Sequence, residues 1–303
     1  MPQVSANGIT IEYESHGDPA DPPLLLIMGL GAQLTLWPNE YVEALVAHGF
    51  HVIRYDNRDI GLSTKFTEHG LPNVRWVALL RLIGLSARLP YRLADMADDA
   101  VALLDELGIG QAHLVGASMG GMIAQLVAAG RPDRVLSLTS FMSSTGNRRL
   151  PPAKPEAIAA LLDRPPPEAT LEQIVPIRLR LVRTIGSPAY PADEGRLRDH
   201  FARDYKRSYH PTGAGRQLAA MIDDGDRRKR LRAITAPTLV IHGEADPLIP
   251  VEGGLDTAAS ITGSRLHTIA GMGHDLPVEL AQEITDAIAG VAQERAAVSM
   301  PVV

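Results

Sequence analysis

The 303-residue chain contains no cysteine, which excludes disulfides, thiolate metal ligation and a cysteine nucleophile together. Any nucleophile must be another side chain. The sequence also lacks an apolar run of about 18 residues, the least that crosses a membrane as a helix. Its opening, MPQVSANGITIEYE, has neither the basic nor the apolar block of a secretory signal. The expectation is a soluble, cytoplasmic protein with no stable membrane insertion. No glycine-rich phosphate loop ends in lysine and no paired histidines have metal spacing, so no cofactor and no metal are implied. A formal net charge of -6 argues against nucleic acid as a partner. There is no internal repeat, and nothing in the chain speaks to its oligomeric state.

What is present suits a large core: 45% of residues are hydrophobic, enough for one sizeable domain with an insertion. The opening alternates apolar and polar residues on both sides of Asn7-Gly8, a turn pair typical of a tight hairpin. LLLIM at 24–28 is an unbroken apolar run of the kind a strand covered on both faces shows, and further strands read at 51–56, 112–117, 135–142, 237–243 and 265–270. Helical spacing separates them at Pro38 to His48, Ala94 to Leu107 and Met119 to Ala129, and again from Val251 and from Pro277 to about Glu294. Such alternation implies a mostly parallel sheet between helices. The rhythm stops over 147–232, a stretch rich in proline and arginine with 18 basic against 11 acidic residues, where the rest of the chain has 11 against 24. This segment reads as an inserted helical cap, with 1–146 and 233–303 as the core. The last residues, AAVSMPVV, read as a loose tail.

One turn stands out. HLVGASMGGMIAQ places Ser118 at the junction of a strand and a helix, with Gly116 and Gly120 two positions away on either side. That context is what a Gly-x-Ser-x-Gly match requires: the serine's backbone is strained, its neighbours crowd each other where a Cβ would collide, and the hydroxyl is left exposed. At a helix start, the N–H of Met119 also points toward any oxyanion forming beside the serine. A serine hydroxyl needs a base, and the base needs an orienting acid. In the chain order Ser, acid, His, Asp246 follows the strand in PTLVIHGEADPLIP, and His274 lies in the glycine-flanked loop IAGMGHDLP. The other nine histidines occupy no comparable loop, and the alternative acid position, SSTGN after residue 142, has no carboxylate. For the second oxyanion donor the loop MGLGAQLTLW offers the N–H of Leu30, after Gly29.

GASMGG, HGEADPLIP and GMGHDLP, together with YDNRDIGLS at 55–63, resemble the α/β-hydrolase fold superfamily over nearly the whole chain. The resemblance implies an α/β architecture: a mostly parallel, eight-stranded type of sheet with helices on both faces and a helical cap. It further implies that Asp56 and Arg58 support the active-site loops, with Asp59 where glycine is usual. Met28-Gly29 stands where many relatives carry His-Gly, so a supporting imidazole is missing. The loops IMGLGAQLTLWPNEY and AGMGHDLP are most similar to those of the anthracycline methylesterases, the aclacinomycin methylesterase group.

The expected activity is hydrolysis of small or medium apolar carboxylic esters, methyl esters among them, through an acyl-enzyme on Ser118. The partner is a small-molecule ester. Serine at the elbow is against dehalogenase or epoxide hydrolase chemistry, for which the resemblance would want aspartate. Cofactor-free perhydrolysis and carbon–carbon bond hydrolysis use the same three side chains and stay open, as does a non-enzymatic receptor on this scaffold. Within RWVALLRLIGLSARLPYRL (75–93), Trp76, Leu79, Leu80 and Ile83 share helical spacing. They would pack on the cap, line an acyl pocket or touch lipid. The basic run RRKRLR (227–232) reads as a solvated hinge or, less simply, an anion site.

Overall fold

The computed structural model describes residues 2–163 and 165–298, with side chains through 293. The hairpin forms as expected: β1 (Gln3–Ala6) and β2 (Ile9–His16) pair antiparallel, and Asn7 and Gly8 both take positive φ, 49° and 74°. The alternation then runs β3 (Pro23–Ile27), α1 (Asn39–Ala47), β4 (His51–Tyr55), α2 (Val74–Leu82), α3 (Leu93–Glu106), β5 (Ala112–Ala117), α4 (Met119–Gly130) and β6 (Val135–Phe141). Five helices follow before the sheet resumes: α5 (Pro155–Leu162), α6 (Leu171–Ile185), α7 (Glu194–Arg207), α8 (Gly213–Asp224) and α9 (Arg228–Leu231). The chain then returns through β7 (Thr238–Gly243), α10 (Glu252–Ser260), β8 (Arg265–Ile269) and α11 (Ala281–Val298). Of the expected tail, 296–298 continue α11 and 299–303 lie outside the described residues.

Eight strands form one sheet in the order β1-β2-β4-β3-β5-β6-β7-β8, antiparallel at β1/β2 and β2/β4 and parallel elsewhere. Alternate residues of each buried strand feed opposite faces. Leu25, Ile27, Ile53 and Leu114 join Met96, Leu103 and Ile123 of α3 and α4 in one core, while Leu24, Leu26, Val52, Val115 and Ile241 join Tyr41, Leu45, Ile284 and Ile288 of α1 and α11 in the other. Strands covered on both faces are rich in apolar residues at successive positions, as Leu24, Leu25, Leu26 and Ile27 of β3 are.

Two local expectations are corrected. The amphipathic segment 75–93 is helical only to Leu82, and its inward stripe is Val74, Val77 and Leu80, packed with Ala87 against Ala219 of α8. Trp76, Leu79 and Ile83 are left 56%, 47% and 66% exposed, so of the four residues with shared spacing only Leu80 packs. An apolar stripe one position away competed for the same helix. In the basic run, Arg227 is buried rather than solvated. It donates to Asp224 at 2.8 Å, to the carbonyl of Ser144 at 2.7 Å and to Gln125 of α4 at 3.2 Å. Arg228 and Arg230 pair with Asp226 and Asp224. The run anchors the chain's return to the sheet.

Packing is tight between β3, β5 and α4. A Cβ on Gly116 would sit 2.2 Å from the carbonyl oxygen of Gly120, and one on Gly120 would sit 2.0 Å from that of Ile27. Backbone atoms cannot yield as a side chain can. Gly120→Ala is therefore expected to lower unfolding free energy by about 3 kcal/mol or more, the upper end of overpacking costs. Gly130→Ala, in open space at the far end of the same helix, should be neutral or stabilising by up to about 1 kcal/mol. Urea denaturation midpoints of the two variants check the contrast.

Candidate active site

Ser118 sits between β5 and α4 at φ 55° and ψ −118°, a left-handed conformation that a non-glycine residue adopts only when its surroundings impose it. Its N–H donates to the carbonyl of Phe141 at 2.8 Å and its carbonyl accepts from the hydroxyl of Ser143 at 2.8 Å, so neighbouring β6 locks the turn. Because parallel strands end at one edge of the sheet, the loops after β7 and β8 arrive beside it. His274 Nε2 lies 3.0 Å from Ser118 Oγ, and His274 Nδ1 lies 2.6 Å from Asp246 Oδ2. An ionised carboxylate only accepts, so Nδ1 carries the proton and Nε2 is left to accept from the serine. The three residues picked out in the sequence are thus brought together.

Asp246 is buried, and its other oxygen accepts from the N–H groups of Leu248 and Ile249 at 2.8 and 2.9 Å. Burial alone would raise its pKa. The charge of His274, the contact with His242, the His274 hydrogen bond and the Ile249 N–H outweigh it and hold the carboxyl well below the usual carboxylate range. His242 was not singled out in the sequence. It is fully buried, donates from Nε2 to the carbonyl of Ile249 at 2.7 Å, and keeps that nitrogen 3.6 Å from Asp246. Its strand position showed only that it was inside.

The other expected residues line the same spot. Met119 begins α4, whose first-turn N–H groups have no intrahelical acceptor. Leu30 lies in the turn after β3, and the preceding Gly29 abuts Ser118: a Cβ there would meet Ser118 Cβ at 3.1 Å. The side chain of Met28, where the resemblance expects histidine, is buried in the apolar core and offers no imidazole beside the loop. One cleft has Leu30, Gly31, Leu161, Ile177 and Leu181 in its wall together with Asp163 and Arg178, and a second lies beside Gln33, Arg178, Asp204 and Tyr205. Neither is walled by Ser118 or His274. Among the described residues, no group of three or more His, Asp or Glu is placed to hold a metal ion, and no helix is long and apolar enough to cross a membrane.

A family model described as alpha/beta hydrolase fold matches residues 22–279. The chain belongs to that family. It is 30% identical to a rhodomycin D methylesterase of Streptomyces peucetius, over 94% of this chain and 95% of that protein, which bears out the resemblance noted in the loops. It is also 28% identical to a 2-hydroxymuconate semialdehyde hydrolase of a Pseudomonas strain, over 91% and 88% of the two chains. A meta-cleavage product hydrolase from Pseudomonas fluorescens shares the fold with a TM-score of 0.74 at 19% identity, covering 97% of this chain and 98% of that one.

The YDNRDIGLS stretch ties the sheet edge to the inserted helices. Asp56 accepts from the N–H groups of Leu34 and Leu62, each at 2.8 Å, and from Arg207 of α7 at 2.7 Å. Arg58 makes a two-pronged pair with Asp99 of α3, both contacts 2.6 Å. Asp59, where the resemblance expects glycine, does hold a positive φ of 74°, yet its carboxylate is fully buried and bound by Arg216 of α8 at 2.6 and 2.8 Å and by the hydroxyl of Tyr91 at 2.8 Å. Burial would raise the Asp59 pKa, but Arg216, the Phe66 N–H and Tyr91 outweigh it and lower it. Asp59→Asn keeps the size and the tolerance of positive φ but strands the Arg216 cation, so it should cost about 3–5 kcal/mol. The depressed pKa means that the pair's contribution is whole above the unfolded carboxylate value of about 3.9. The deficit of the variant should therefore shrink only as pH falls below about 4. Chemical denaturation from pH 3 to 8 checks both statements.

Proposed function

We propose that the protein is a serine esterase that hydrolyses small or medium apolar carboxylic esters, methyl esters among them. The observation that carries this reading is the relay from Ser118 through His274 to a buried, ionised Asp246, at 3.0 and 2.6 Å. Ser118 Oγ attacks the ester carbonyl while its proton passes to His274 Nε2, and Asp246 stabilises the imidazolium. The N–H groups of Met119 and Leu30 receive the negative oxygen of the tetrahedral intermediate. As that intermediate collapses, His274 returns the proton to the departing alcohol. A water molecule, deprotonated by His274, then releases the acid from Ser118 by the same route in reverse. Helices α5–α9 act as a cap over the sheet edge, and the cleft whose wall includes Leu30, Leu161, Ile177 and Leu181 receives the apolar part of the ester on those side chains.

The similarity to a Streptomyces rhodomycin D methylesterase supports an ester as substrate. A second reading, carbon–carbon bond hydrolysis, draws on the 28% identity to the semialdehyde hydrolase and uses the same three side chains. A graded panel of p-nitrophenyl esters and aryl methyl esters, run beside a 1,5-diketo acid, separates the two. Wild-type protein should turn over short and medium chains, and Ser118→Ala should lose at least about 10⁴-fold in kcat/KM. His274→Ala should lose nearly all turnover; because it also leaves the buried Asp246 carboxylate without its 2.6 Å partner, it should unfold at a lower temperature and is assayed below that temperature. Equal ester turnover in wild type and Ser118→Ala would end the proposal, and cleavage of a 1,5-diketo acid with no ester turnover would favour the second reading.

A further inference from the structure

Rate in such a site depends on holding an oxyanion donor still, and contacts on both sides hold the Leu30 N–H. That group belongs to the peptide between Gly29 and Leu30. On one side of it, the carbonyl of Met28 accepts from Asn57 Nδ2 at 2.9 Å. On the other, the N–H of Gly31 donates to Gln217 Oε1 at 2.9 Å. The flanking peptides are therefore both pinned, one from the loop after β4 and the other from α8, a helix of the insertion. Gln217 is fully buried, and its Nε2 donates to the carbonyl of Arg58 at 2.8 Å. The amide orientation follows from its partners, since a peptide N–H can only donate and a carbonyl can only accept. Packing allows no slack at this point: Gly31 has φ 69°, and a Cβ on it would meet that of Ala214, at the start of α8, at 2.8 Å. Gly31 has committed its own N–H to Gln217, which leaves Leu30 as the donor next to Ser118.

We infer that Gln217 is a positioning residue for the oxyanion hole: from the inserted helix α8 it fixes the Leu30–Gly31 peptide and thereby aims the Leu30 N–H at the reacting carbonyl oxygen. The inference rests on the serine esterase reading above. Its effect belongs to the transition state, because a carbonyl becomes a strong acceptor only as it turns into an oxyanion. Loosening the loop should lower kcat and leave KM nearly unchanged. Removing a donor outright costs about 100- to 1000-fold, and loosening one should cost less.

Two variants test this. Gln217→Met keeps the volume and removes both polar ends, while Gln217→Asn keeps the amide but is one methylene too short to span both partners. Both are assayed with p-nitrophenyl butyrate and with an aryl trifluoromethyl ketone, whose hemiketal carries the oxyanion, below each variant's melting temperature. The expected result is a loss of about tenfold in kcat, KM within twofold of wild type, and inhibition weakened by a factor matching the kcat loss. Should the Met variant not fold, the Asn variant alone decides. A folded variant with kcat and inhibitor affinity within twofold of wild type would overturn the inference, as would a rise confined to KM. Ser118→Ala in the same assay distinguishes the two failures: retained turnover there sinks the esterase reading itself, whereas its loss beside unaffected Gln217 variants sinks only the role of Gln217.

Discussion

The crowding of backbone at the β3–β5–α4 junction is the constraint from which the rest of the site follows. Three chain segments approach so closely that Gly116 and Gly120 have no room for a Cβ, and the one residue between them whose side chain can escape is Ser118. Its positive φ is the local cost, of order 1–3 kcal/mol for a residue held in such a region. Two cores, one on each face of the sheet, supply the packing that imposes it. The same crowding brings Gly29 against the serine and aims the first turn of α4 at it, so the proposed nucleophile and the N–H groups proposed to stabilise its oxyanion arrive as one unit.

Helices α5–α9 hold that unit from above. The His274 N–H donates to the carbonyl of Ile185, at the end of α6, at 2.7 Å, and the Gly273 N–H donates to the hydroxyl of Ser187 at 2.8 Å. On the other side of the site, Arg207 and Arg216 reach from α7 and α8 to the carboxylates of Asp56 and Asp59. Buried pairs of this kind add little net stability, because desolvation takes back most of the attraction, but breaking one is expensive. They act here chiefly on register: the insertion can sit in few positions without leaving a charge unpaired. The loops bearing His274 and Leu30 are in this way set by contacts from outside the sheet.

Much of this was readable in the sequence because it is local or periodic. The apolar run at 24–28 and the alternation of strand and helix patterns marked the sheet, the glycine pair around Ser118 marked the elbow, and the positions of Asp246 and His274 just past strand ends followed from the edge rule for parallel sheets. What escaped were pairings between distant residues. A glutamine at 217 or an arginine at 207 or 216 in a helix has no local signature, since solvent and a buried partner are equally compatible with the surrounding pattern. Arg227 shows the same blindness: a run of four basic residues before Leu231 reads as solvated until the carbonyl of Ser144 and the side chain of Gln125 are found around its first member. Periodicity itself was ambiguous in α2, where two apolar stripes one residue apart compete and only packing against Ala219 chose between them.

The account stands on His274 making Ser118 nucleophilic. The most direct measurement is the rate of phosphonylation by a fluorophosphonate, with the modified peptide located by mass spectrometry, in wild type and in His274→Ala. The expected result is a single adduct on Ser118 in wild type, formed about 10³-fold more slowly without the imidazole, within the range general-base assistance contributes. An adduct on another residue, or equal rates in the two proteins, would contradict it.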